Sequence, residues 1–111
     1  MSFPTIASTI LSNDILLKCW PEFFEALWKG IKTFDVRLND RPYQVGKTIA
    51  QYEYDPVTQQ VSGRVVRASI VYMLSHEDFS GIANGYVCLA LDGFERMTVR
   101  LEEAKAEKES E

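Results

Sequence analysis

Zinc-type histidine pairs, CxxC motifs and glycine-rich phosphate loops are all missing from this 111-residue chain. With His76 as the single histidine, a two-histidine zinc site is excluded, and a Ser-His-Asp triad would have to be built on one loop residue. Cys19 and Cys88 are too far apart in sequence for a zinc knuckle and read as reduced, buried thiols. No metal, no cofactor and no nucleoside-triphosphate chemistry is therefore expected. No apolar run approaches the ~20 residues of a membrane span. The first residues lack the basic start and long apolar centre of a signal peptide. A cytoplasmic protein without membrane association is the expectation. Positive charge is also short: the net charge of −4 argues against indiscriminate binding to nucleic acid.

What is present is local. Residues 29–47 carry Lys29, Lys32, Arg37, Arg41 and Lys47 against only Asp35 and Asp40. A small positive site on an acidic chain suits one nucleotide or a short single strand better than a long duplex. Within it, Thr33 to Leu38 alternates polar and apolar residues with the period of a half-buried strand. Phe34, Val36 and Leu38 share one face. Thr33, Asp35 and Arg37 share the other, with Asp35 and Arg37 about 7 Å apart. Asn39-Asp40-Arg41 supplies a polar turn.

Around this stretch the chain divides into an arm (1–13), a folded domain (14–97) and a charged tail or helix (98–111). A short first strand over 15–20 leads into a helix starting at Pro21, with Glu22 beside it as helix-start chemistry. Phe23, Phe24, Leu27, Trp28 and Ile31 form its apolar stripe. Further strands are expected near 33–38, 47–54, 64–74 and 85–91. The 64–74 strand carries Val66, Ala68, Ile70, Tyr72 and Leu74 on one face, with a bend at Ser62-Gly63. Residues 85–91 are apolar enough for burial on both faces. Ser75 to Asn84 reads as a mobile loop. Several strands and one early helix make an α+β domain, a small mixed β-barrel.

Gly30, Lys32, Asp35 and Arg37, as G-x-K-x-x-D-x-R, resemble the G-x-K-x-x-E-x-R signature of ASCH domains in the PUA-like superfamily. Leu17-Lys18, Trp20-Pro21-Glu22-Phe23-Phe24, Val45-Gly46, Glu53-Tyr54-Asp55-Pro56 and Gly85-Tyr86-Val87 follow in an order similar to short ASCH-like proteins of bacteria and their viruses. That resemblance implies a PUA-like barrel with a cleft at the helix-to-strand junction. It also implies recognition of RNA or modified nucleotides, with Lys18, Lys32, Asp35, Arg37, Arg41 and Tyr54 as binding residues.

Tyr54, Tyr86 and Trp20 offer surfaces on which a base could stack, though each also suits a core. Asp35 stands where the signature has Glu and reaches less far.

An enzymatic alternative comes from bacterial acetylcytidine amidohydrolases of similar fold, whose pattern is a lysine, a threonine three residues later and a glutamate. Lys32 matches, but the third position is Asp35, so the hydroxyl is missing. Thr33 is the available substitute, and Glu53 or Glu77 the available glutamate. Lys32, Asp35 and Glu53 are thus the catalytic candidates. A third reading is a viral accessory protein acting through a host protein partner.

Overall fold

The computed structural model describes residues 13–99. The expected arm and nearly all of the charged tail lie outside these residues. One helix and five strands follow in the order β1 (Ile15–Cys19), α1 (Pro21–Trp28), β2 (Phe34–Leu38), β3 (Thr48–Asp55), β4 (Gln60–Ser75) and β5 (Tyr86–Thr98). The strands form one sheet in the order β1-β3-β4-β5-β2, curled into a half-barrel. Only the β1–β3 pair is parallel. The domain is α+β, as the sequence implied.

Curling is built from irregularities in the two long strands, because an extra residue bends a strand and increases its twist. Two extra residues of β4 around Gly63 (φ +95°) interrupt its pairing with β3 between Tyr52 and Tyr54. An extra residue in β5 near Gly93 (φ +70°) and one in β4 at Val71 interrupt the β4–β5 ladder. The second of these corrects the expected alternation. Val66, Ala68 and Ile70 are buried, but the slip sends Tyr72 outward and brings Met73 against the core. Strand β5 also runs past the expected end at 91, and Val99 beyond it is fully buried. Over 86–91 one face of β5 is buried while Cys88 and Ala90 on the other stay half-exposed.

The eight residues of α1 are too few to be stable alone, so packing must hold them. Pro21 occupies the first turn, and Gly30 (φ +80°) ends the helix. Gly30 N–H donates to the Leu27 carbonyl and Ile31 N–H to the Ala26 carbonyl, a Schellman closure that aims the chain into β2. Phe24 and Leu27 are buried in the mouth of the half-barrel with Leu17, Ile49, Ile70 and Leu89. The rest of the expected stripe splits: Trp28 packs at the margin, whereas Phe23 and Ile31 are exposed.

Strand β2 is inside out. Asp35 and Arg37 are each 6% exposed, while Phe34 and Val36 are about half exposed, at 49% and 51%. The alternation located the strand correctly, but its polar face turns into the half-barrel.

Candidate functional site

Strands β1 and β2 are the two edges of the curled sheet, and arginines close the seam between them. From β2, Arg37 Nη2 donates to the Lys18 carbonyl of β1 at 2.6 Å. From the following turn, Arg41 Nη2 donates to the Leu16 carbonyl at 3.2 Å. The two carbonyls belong to alternate residues of an edge strand and so point to the same side of it. Guanidinium groups thus satisfy an edge that would otherwise offer unpaired acceptors.

Behind this seam lies a buried charged array. Asp35 accepts from Lys32 Nζ at 2.8 Å through one carboxylate oxygen and from Arg37 Nε through the other. Arg37 Nη2 also reaches Gln51 Oε1 at 3.1 Å, and Lys32 Nζ donates to the Phe34 carbonyl at 2.8 Å. Charged groups are tolerated at such depth only when paired and hydrogen-bonded, and these are.

A pocket of about 200 Å³ opens beside the array, lined by Lys18, Cys19, Trp20, Phe23, Asp35, Val36 and Arg37. Trp20 and Phe23 are half exposed, at 50% and 49%, and form its mouth. Trp20 and Tyr86 are therefore not core residues, in contrast to one of their expected readings.

The expected site residues do not all converge. Lys32, Asp35 and Arg37 form one array, and Lys18 joins it through its carbonyl. The Lys18 ammonium lies 4.8 Å from the centre of the Tyr54 ring, so Tyr54 reaches the site only through that contact. Arg41 lines a different pocket. Glu53 pairs with Arg64, whose Nη2 lies 3.0 Å from Glu53 and 3.1 Å from Glu25. The Arg64 guanidinium also sits 4.8 Å from the Trp28 ring centre. Burial alone would lower the Arg64 pKa, but hydrogen bonds to Glu25 and Glu53 outweigh this and raise it.

His76 and Glu77 belong to their own loop: His76 Nδ1 meets the Ile82 carbonyl, and Glu77 accepts from the Ser75 hydroxyl. Sequence reasoning missed Gln51, the half-exposed Phe23 at the pocket mouth, and the Arg64 network. Gln51 could have been flagged, because it shares the inward parity of Ile49 on a strand whose alternate residues are core.

Residues 16–91 match a family model described as a domain of unknown function, DUF3850. The chain belongs to the DUF3850 family. No curated protein matches it. The DUF3850 segment begins inside β1 and ends inside β5, so it contains the whole seam, the charged array and the small pocket. Among the described residues of this DUF3850 protein, no cluster of His, Cys, Asp or Glu is placed to hold a metal, and no helix is long and apolar enough to cross a membrane.

Cys19, a free thiol in the pocket wall, is pushed up to about 11, first by burial and then by the neighbouring Asp35 charge. Burial likewise pushes Tyr43 up to about 12. Both groups favour the protonated native state, so their contribution is complete below their ordinary values of 9.0 and 10.0. It is lost as pH rises through the folded values. Stability should fall between pH 9 and 12, by about 2–3 kcal/mol for each group. Urea midpoints measured across this range should decline in wild type and flatten in Cys19→Ala and Tyr43→Phe. Equal slopes in all three proteins would contradict this.

Proposed function

We propose that this domain binds a nucleotide or short single-stranded RNA, with one base held in the small pocket. The observation that carries the reading is the pairing of Trp20 and Phe23, half exposed, with the buried Asp35–Arg37 pair in one pocket. Every base has a face that stacks on an aromatic ring, and each Asp35 oxygen keeps a further lone pair that could accept from a base edge. The resemblance of Gly30 to Arg37 to the ASCH signature, within a curled half-barrel, supports the same ligand class.

The contacts revise the division of labour. Lys32 does not line the pocket; it orients Asp35, which in turn orients Arg37. Lys18 is the lysine that lines the pocket, and its ammonium, which rests over the Tyr54 ring, would have to leave that ring to meet a phosphate.

Amide hydrolysis of acetylcytidine is not favoured. The donors of Lys32 point at a carboxylate and a carbonyl, both oxygens of Asp35 are engaged by cations, and Glu53 is held by Arg64. Incubation with acetylcytidine, followed by chromatography, should yield no product.

Trp20 fluorescence provides the direct test of binding. Titration with nucleoside monophosphates and short oligoribonucleotides should quench it, with a shallow dependence on salt because few cations face the ligand. Trp20→Ala should weaken binding by about 1–3 kcal/mol, and Trp20→Phe by less. Absence of quenching together with absence of calorimetric heat at millimolar ligand would overturn the reading.

A further inference from the structure

The second pocket is larger, about 650 Å³, and lies at the other end of the same seam. Its lining includes Asp14 and Ile15 at the start of β1, Arg41 and Lys47 from the loops flanking Gly46, and Arg67 of β4. Three cations thus meet one carboxylate.

Arg67 and Asp14 largely cancel. Arg67 Nε and Nη2 hold both oxygens of Asp14, at 2.6 and 3.2 Å, and its Nη1 reaches Glu95 at 2.9 Å. The hydrogen bonds to Asp14 hold the Arg67 pKa above its ordinary value. With the acid occupied in this way, Lys47 supplies the pocket's positive charge, and the Arg41 guanidinium forms part of its wall. Arg41 is fixed by its bond to the Leu16 carbonyl. Lys47 is exposed, and among the described residues its ammonium makes no ion pair or side-chain hydrogen bond. A fixed guanidinium beside a free ammonium in an open concavity is a site for an anion.

We propose that this pocket is a second phosphate-binding site, and that the ligand of the domain is a single strand of nucleic acid long enough to run along the seam. Arg41 and Arg37 cap carbonyls two residues apart on β1, and Ile15 and Lys18, which line the two pockets, are about 10 Å apart along the strand. A strand of a few nucleotides with one base between Trp20 and Phe23 reaches Arg41 and Lys47 with a downstream or upstream phosphate. The identity of the ligand rests on the nucleotide reading of the small pocket; the anion site does not.

Two probes separate these claims. Tripolyphosphate, which has no base, should shift the backbone amide resonances of Gly46, Lys47 and Thr48, and Lys47→Glu should abolish the shifts while leaving the melting midpoint unchanged. Hexauridylate should bind wild type more tightly than uridine monophosphate does. Lys47→Ala should weaken hexauridylate about five- to tenfold and lower its salt slope by about one, with uridine monophosphate unaffected. Tripolyphosphate shifts that are absent, or identical in Lys47→Glu, would overturn the anion site. Intact tripolyphosphate binding without any Trp20 response to nucleotides would defeat the small-pocket reading alone. Hexauridylate affinity unchanged in Lys47→Ala would show that no strand spans the seam.

Discussion

Asp35→Ala is expected to destabilise the domain by about 3–5 kcal/mol, the usual loss when one partner of a buried ion pair is removed. The carboxylate is bonded to both Lys32 and Arg37, and both cations would remain in place after it is gone. Arg37 cannot swing to water without releasing the Lys18 carbonyl and Gln51, which would reopen the β1–β2 seam. The loss should therefore spread beyond the site. Asp35→Asn should fall between wild type and Asp35→Ala, because it keeps an acceptor but not the charge. A further variant distinguishes pairing from mere packing. Replacing Lys32, Asp35 and Arg37 together by Met, Leu and Met removes the charges as a set, and apolar replacement of a complete buried array is often neutral or stabilising. Urea midpoints should place the triple variant above Asp35→Ala but below wild type, because it still gives up the bonds of Arg37 to the Lys18 carbonyl and Gln51. An Asp35→Ala midpoint within error of wild type would mean that the array bears no part of the fold.

The array also shows what the sequence could and could not reveal. Period-two alternation located β2 at Phe34 to Leu38, and the Pro21 start and Gly30 end located α1, because these signals depend on the local backbone alone. Which face of β2 turns inward depends on partners distant in the chain. Arg37 is buried because β1 presents a free carbonyl edge and β3 presents Gln51, and neither fact is written near residue 37. Glu53, a catalytic candidate that on sequence could pair with a cleft cation or stand exposed, shows the same lack of distant information; Arg64, eleven residues away across a hairpin, pairs with it. Tyr72 fell on the expected buried face until the extra residue at Val71 reversed it. Of the charged residues of 29–47, Asp35 and Arg37 line one pocket and Arg41 and Lys47 another, while Lys29, Lys32 and Asp40 line neither.

The adjacent phenylalanines of α1 should give opposite results. Phe24 is fully buried, its ring centre 5.9 Å from that of Trp28 and 5.2 Å from the Arg64 guanidinium. Phe24→Ala should cost about 3–5 kcal/mol, because the cavity is walled by strands that cannot collapse into it and a short helix has little intrinsic stability to lose. Removing the ring also removes one of the two aromatic faces against which Arg64 rests, so the Glu25–Arg64–Glu53 network should loosen with it. Phe23 is one residue earlier and about 100° around the helix, which places it at the pocket mouth instead of in the core. Phe23→Ala should leave the melting midpoint within about 0.5 kcal/mol of wild type, as for surface substitutions generally, yet weaken base stacking. Thermal unfolding and Trp20 quenching on the same two variants test both halves. Loss of stability in Phe23→Ala comparable to that in Phe24→Ala would show that the helix packs by a broader face. Unchanged ligand affinity in a stable Phe23→Ala protein would remove Phe23 from the binding surface and leave Trp20 as the only aromatic there.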